Sequence, residues 1–331
     1  MACGPPHGIS CNPFVIESSR ASSQCNRFWL WGAVDNEGRT KHLRQVRKYY
    51  DHNTERFLKW GKGERTFNIH GALWHREVKS LAEAMHYSDE LIAREIERCP
   101  YPVNRVLDLG CGVGGSIFYL VRRLSRVRSF VGISLSPLQI DSARQRIPEA
   151  QRSRIQFEEG CFLRLPTDRF KADFSYSIEA FTHCPDPDIF FSVQAGLLPP
   201  GGRLAIVDDC LSDEIGPTFR HMRLLDRYRR NWLLPGLQGL TALKSFAEKK
   251  GFRLIKNQNL TPYLRLGRPR DRAISLLVRF LSPLMERDMY LKSLLGGEAR
   301  QKCYREGLIH YRLLVFEKRR SFSSAFTSSV A

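Results

Sequence analysis

The chain has 331 residues, 42% of them hydrophobic, and a formal net charge of +18. That length and apolar content suit one large domain with insertions or two small ones, and exclude global disorder. The positive excess points to an anionic partner (nucleic acid, an anionic membrane surface, or an acidic or phosphorylated substrate) or to a basic solvated surface with none.

Nine cysteines, at positions 3, 11, 25, 99, 111, 161, 184, 210 and 303, are scattered and form no C-x-x-C pair. Neither a zinc site nor a disulfide framework is expected, no metal is assigned, and a reducing compartment is the natural reading. No apolar run reaches the ~18 residues of a membrane span. The first twenty residues lack the basic start and apolar core of a secretory signal. The expectation is a soluble, cytoplasmic protein.

In chain order, residues 1–40 carry Gly, Pro and Ser with little periodicity and read as a poorly ordered leader, with a short segment at 28–31 that could pack back. Residues 41–100 read as a helical cap. A basic amphipathic helix begins near Lys41 with Leu43, Val46, Tyr49 and Tyr50 on one face, and a second helix covers about 77–97. Residues 101–320 carry alternating strands and helices: strands at 106–109, 129–133, 155–157, 172–178, 203–207, 251–255 and 311–317. That rhythm predicts an α/β fold, a Rossmann-like seven-stranded, mostly parallel sheet with helices on both faces. Helical insertions are expected near 211–240 and 263–308, with helix at 219–232, 240–250 and 272–279, and the Ser-rich tail 321–331 reads as disordered.

The stretch 106–115 reads V-L-D-L-G-C-G-V-G-G: an apolar strand with Asp108 inside it, then a turn with glycines at 110, 112, 114 and 115, then a helix. Strand, glycine turn and helix let backbone approach a cofactor closely. The spacing is G-x-G-x-G-G rather than the G-x-G-x-x-G of a dinucleotide site. This variant resembles the first motif of the class I S-adenosylmethionine methyltransferases, in which the turn cradles the methionine and ribose of the cofactor and the strand acid orients the loop. The stretch 177–186, S-I-E-A-F-T-H-C-P-D, is similar to the motif after the fourth strand in sterol C-methyltransferases and γ-tocopherol methyltransferases. The run Ser134-Leu135-Ser136-Pro137 looks like the tocopherol group. Tyr50, Trp60, Gly61, Gly63 and Phe67 resemble the aromatic substrate segment of the sterol group. The resemblance covers about residues 45–260. It departs after the fifth strand, where Val207-Asp208-Asp209-Cys210-Leu211 replaces the acidic, aromatic sequence of the sterol enzymes.

Ligands of such a sheet sit outside the carboxyl ends of the strands. The resemblance therefore implies a cofactor site from Asp108, Gly110, Cys111, Gly112, Gly114, Ser134, Leu135, Gly160, Cys161, Phe162, Ile178 and Glu179. Ser134 stands where an acid normally holds the ribose, and a hydroxyl binds it less strongly than a carboxylate does. Cys161 stands where many of these enzymes place an acid on the adenine. Tyr49, Tyr50, Trp60, Phe67 and Phe181 are candidate substrate walls. Glu179 is read either as a base or as a carboxylate that orders the loop, and His183 either as a base for a phenol or as a packing histidine.

The implied activity is methyl transfer from S-adenosylmethionine to a hydrophobic small molecule, a terpenoid or prenylated acceptor methylated at carbon. The alternatives are a prenylquinol, phenol or amine acceptor, and a catalytically silent RNA-binding module on the same fold. A nicotinamide dehydrogenase is a third and weaker alternative. The basic residues are not interleaved with the aromatics of a single-strand binder, which disfavours nucleic acid. Arginines at 219–230 and 264–272 would suit an acidic head group, or peripheral contact with an anionic membrane. No obligate protein partner is evident from the sequence.

Overall fold

Seven strands form one sheet in the order β3-β2-β1-β4-β5-β7-β6. They are β1 Arg105–Leu109, β2 Ser129–Ser134, β3 Ile155–Glu159, β4 Phe174–Ile178, β5 Arg203–Leu211, β6 Phe252–Asn259 and β7 Ile309–Lys318. The computed structural model describes residues 35–61, 66–214, 216 and 218–320. The first five strands are parallel, and β7 inserts antiparallel between β5 and β6. Helices flank the sheet: α1 Asn36–Gly61, α2 Leu81–Glu97, α3 Gly115–Arg123, α4 Pro137–Gln145, α5 Pro187–Leu197, α6 Phe219–Trp232, α7 Leu240–Lys249, α8 Pro269–Met285 and α9 Met289–Arg305.

Two apolar cores lie on the two faces. One packs Leu91, Ile92, Phe118, Phe130 and Tyr176; the other packs Phe162, Phe190, Phe191, Phe252 and Phe316. β4 is buried along its whole length, as a central parallel strand covered on both faces must be.

Several boundaries differ from the sequence expectation, three of them with a clear physical cause. Helix α1 starts at Asn36, inside the stretch read as leader, because Asp35 caps it by accepting from the Gly38 N–H at 2.7 Å. Residues 1–34, Gly63 and the tail 321–331 lie outside the described residues, as does the Trp60 side chain. Strand β5 runs on to Leu211 through two aspartates, because β7 pairs it as far as Leu211↔Ile309 and both carboxylates find buried donors. Helix α8 extends well beyond 272–279; Asp271 caps its start through the Arg268 N–H, and Pro283 sits in its last turn, a position that helical periodicity alone would exclude.

What positions the site is α1, which lies across the carboxyl ends of β2, β3 and β4. Arg39 pairs with Asp186 at 2.7 Å, His42 meets the His183 carbonyl at 2.9 Å and Arg47 pairs with Glu159 at 3.0 Å. Asp51 accepts from the Ser136 hydroxyl, and Thr54 accepts from Gln139 Nε2 at 2.9 Å. Five contacts to the ends of three strands make this helix a roof rather than a separate lobe.

Candidate active site

Beneath α1 lies a cleft of about 970 Å³, open to solvent on one side. Its floor is the β1–α3 turn. The Gly110 and Cys111 N–H groups both donate to the Ile133 carbonyl at 2.9 Å, which ties the turn to the end of β2. Gly110 has φ +99°, and a Cβ there would lie 2.3 Å from the Ala180 Cβ, so only glycine fits. Gly112, at φ +54°, is different: a Cβ would meet nothing in the protein nearer than Ile69 at 3.9 Å. It faces the open cleft.

Most of the residues expected from sequence converge here. Asp108, Gly110, Cys111, Gly112, Ser134, Leu135, Gly160, Phe162, Ile178, Glu179 and His183 line the cleft, with Tyr50 and Phe67 from the N-terminal region. Four do not. Gly114 is the N-cap of α3, and the ring of Phe157 would stand 2.6 Å from a Cβ on it, outside the lining. Cys161 turns into the second core, so burial pushes its thiol pKa up and it offers the cleft no side chain. Phe181, at the start of a 3-10 turn, points into the same core and packs edge-on against Phe190 at 4.9 Å. Tyr49 is buried and packs edge-on against Tyr50 at 5.3 Å and beside Phe57, outside the cleft lining.

Asp108 is buried and accepts a 2.8 Å bond from the Tyr176 hydroxyl. Burial, with the charge of Asp89 added, pushes its carboxyl up to about 7. Asp108 makes no bond to the glycine turn, so the turn is held by the Ile133 carbonyl instead.

Sequence reasoning missed a buried polar group beside it. Asn68 and His86 both reach Asp89 Oδ2 at 2.8 Å, and His70 Nε2 stands 3.6 Å from Asp89 Oδ1. The His70 side chain is 7% exposed, and both that nitrogen and Asp89 Oδ1 lack a hydrogen-bond partner among the described residues. Burial works against a charge on His70, but the Asp89 carboxylate and then Glu179 outweigh it and raise its pKa. Asn68 and His70 both line the cleft, with the Asn68 amide spent on Asp89, His86 and the Met85 carbonyl.

Glu179 follows β4 in left-handed backbone, φ +48°. Its Oε1 accepts from the Gly71 N–H at 3.1 Å and from Arg300 Nη2 at 3.1 Å. Burial alone would raise its pKa; the Arg300 guanidinium, His70 and the Gly71 amide together hold it below the usual carboxylate range. Arg300 also grips Asp209 with two bonds, at 2.7 and 3.2 Å, and Asp209 accepts from the hydroxyls of Tyr228 and Tyr304. An ionised Glu179 is a weak base and a good counter-charge.

His183 Nδ1 lies 3.0 Å from the Leu233 carbonyl, which can only accept, so Nδ1 carries the proton. Nε2 is then an acceptor for the Tyr50 hydroxyl at 2.8 Å. Burial depresses the ring's pKa to about 4, so the imidazole is neutral at pH 7. Unfolded, the ring would titrate near 6.5, so between pH 6.5 and 4 the unfolded chain binds the extra proton. The stabilisation is complete above pH 6.5 and is lost as pH falls through 4. Asp108 and Asp208, pushed up to about 7, act in the opposite sense over an overlapping range. The readout is therefore a difference: the stability gap between the wild type and His183→Gln is expected to shrink from pH 7 to pH 4.5 in urea unfolding. A gap constant with pH would mean that the ring is not buried neutral.

The sheet order, the glycine turn and the cleft at the strand ends are those of the class I S-adenosylmethionine-dependent methyltransferases. Residues 106–202 match the family described as methyltransferase domain, and the chain resembles the sterol C-methyltransferase branch of the class. It is 27% identical over 232 residues to a cycloartenol-C-24-methyltransferase of Oryza sativa subsp. japonica, covering 70% of this chain and 65% of that one. A 24-methylenesterol C-methyltransferase of the same plant is 29% identical over 236 residues, 68% of this chain and 62% of the relative. The match thus spans less than two thirds of either relative's length. The fold is shared with a geranyl diphosphate C-methyltransferase of Streptomyces coelicolor A3(2) at TM-score 0.62 and 18% identity, covering 84% of this chain and 98% of the other.

Proposed function

We propose that this protein transfers a methyl group from S-adenosylmethionine to carbon of a hydrophobic acceptor, a sterol-like or prenylated alkene. The observation that carries the reading is an ionised Glu179 on the wall of a cleft whose floor, at Gly112, is bare backbone. S-adenosylmethionine is the expected cofactor. The cleft suits it: the turn at Gly110–Gly112 leaves room for a bulky ligand, and Asn68, His70, Ser134 and Gln139 offer polar atoms around it. When bound, the cofactor supplies an electrophilic methyl on a positive sulfur.

The chain's own residues do the rest. The α1 roof and the turn hold the reactants in line and keep water out, which is where most of the acceleration of such a transfer arises. An alkene that gains a methyl becomes a carbocation. Glu179 stabilises that charge as a fixed carboxylate, and the Tyr50 and Phe67 rings line the same cleft. The Tyr50 hydroxyl donates to neutral His183, so the proton lost at the end can pass to the Tyr50 oxygen only as Tyr50 hands its own proton to His183 Nε2. Glu179→Gln keeps the shape and removes the charge. It is expected to lower kcat about 10²-fold and to leave KM for the cofactor within about threefold, in a labelled-methyl assay.

The second reading, transfer to a prenylquinol, phenol or amine, draws on the same Tyr50–His183 pair, which would deprotonate the acceptor before attack. An acidic head group on either acceptor would find Arg47 on the cleft wall. Incubation with labelled S-adenosylmethionine and a panel of sterol, prenyl diphosphate and prenylquinol acceptors separates the readings by the methylated atom. Label found only on oxygen or nitrogen would overturn C-methylation.

A further inference from the structure

Seven large hydrophobic side chains are markedly exposed among the described residues, and four of them sit on one helix: Leu276, Leu277, Phe280 and Leu284 of α8. Phe280 is 70% exposed and Leu276 60%. At 3.6 residues per turn these four fall on one face, with Ala273 between them. The opposite face is the ordinary buried one: Val278 and Met285 pack with Ile274 against Leu291, Leu294 and Leu295 of the neighbouring α9. A surface helix normally turns polar side chains outward. This one is apolar on both faces and charged along an edge.

The charges are nearly all positive. Between 268 and 287 the sequence has arginines at 268, 270, 272, 279 and 287, against Asp271 and Glu286. Asp271 is buried and spent on capping the helix. Arg272 and Arg279 border the apolar stripe and line an open cavity of about 1400 Å³ beneath it, together with Arg56 and Arg268. Glu286, at the end of α8, faces a second depression lined by Arg220, Arg223, Arg227 and Arg230 of α6, of which Arg220 pairs with Glu306 and Arg230 with Asp226. The apolar stripe therefore sits in a broadly cationic surface.

We propose that α8 is a membrane-docking helix, which seats this protein on an anionic lipid surface with Leu276, Leu277, Phe280 and Leu284 in the acyl boundary and the flanking arginines on the head groups. An in-plane helix needs this combination of an apolar face and a cationic border. At 17 residues with internal arginines α8 lies on a bilayer rather than through it, and no helix among the described residues is long and apolar enough to cross one. The charge selects the occupant, since a second copy of this chain would bring the same arginines against these.

The test is flotation of the full chain with phosphatidylcholine vesicles, with and without a minority of phosphatidylserine. The wild type is expected to float with the anionic vesicles and far less with the neutral ones. Leu276→Ser/Phe280→Ser should lower the bound fraction on the order of tenfold, while its S-adenosylhomocysteine affinity stays that of the wild type. Leu277→Ser/Leu284→Ser is the second variant should the first not fold. Arg272→Gln/Arg279→Gln should weaken binding to anionic vesicles and leave the neutral ones unchanged. The proposal is overturned if the wild type does not float, or if the serine variants float as it does. It is also overturned if the serine variants instead dissolve a dimer in sedimentation with no vesicle binding. None of these readouts depends on methyl transfer.

Discussion

Gly112→Trp is expected to abolish S-adenosylhomocysteine binding, by more than about 100-fold or roughly 2.7 kcal/mol, without unfolding the protein. The argument runs through the backbone. Gly112 sits at φ +54°, where a side chain costs roughly 1–2 kcal/mol, a fraction of the about 5–15 kcal/mol that a domain of ordinary stability holds. Because a Cβ meets nothing nearer than 3.9 Å in the protein, the indole has only the cleft to enter. It would occupy the volume of the ligand. Gly112→Ala is the companion: it adds the same backbone strain with little bulk, and should weaken binding far less. Isothermal titration reads both, and thermal melts confirm folding. Wild-type affinity in the tryptophan variant would remove this turn from the cofactor site.

Arg300→Met is expected to cost about 3–5 kcal/mol in urea unfolding, the range for breaking a buried charge cluster from one side. Arg300 is flanked by Asp209 and Glu179 and packs over the rings of Trp232, Tyr304 and Tyr311. Methionine keeps the aliphatic packing but leaves two carboxylates without their cation. Arg300→Met/Asp209→Asn should lose less than the sum of its parts, since removing one stranded charge relieves the other. Strict additivity would show that the two do not couple. The cost should also depend on pH. The folded pKa of Glu179 is depressed from 4.5, so its share is present above 4.5 and lost as pH falls through the lower folded value. The difference between wild type and Arg300→Met is accordingly expected to narrow in acid.

How far the sequence revealed this site depended on the distance between partners. The glycine turn was legible because its signal is local: an apolar strand, three special backbone angles and a helix occupy consecutive residues. Glu179 was legible for the same reason, as the residue just past a strand. The side chain that decides its charge was not, since Arg300 lies 121 residues away on a late helix with no motif of its own. Asp89 was hidden too. It looks like a surface acid in a helical stretch, and only the approach of the 66–71 segment buries it between Asn68 and His70. Where the sequence misled, the fault was side-chain direction. Phe181 and Cys161 follow strands at the proper end, but a 3-10 turn and a loop rotate them into the core. Tyr49 and Tyr50 are adjacent on one helix, and 100° of rotation separates the residue that lines the cleft from the one that does not.

The sheet order has a consequence for the synthesis of the chain. Among the described residues β6 hydrogen-bonds to β7 alone, and β7, which follows both β5 and β6 in the chain, must enter between them. Until residues 309–318 have left the ribosome, β6 has no strand neighbour and β5 has an open edge. The parallel half of the sheet with the glycine turn can form early. Arg300, the partner of Glu179, lies on α9 just before β7, so the glycine turn and the cation paired with Glu179 are supplied at different points along the same polypeptide.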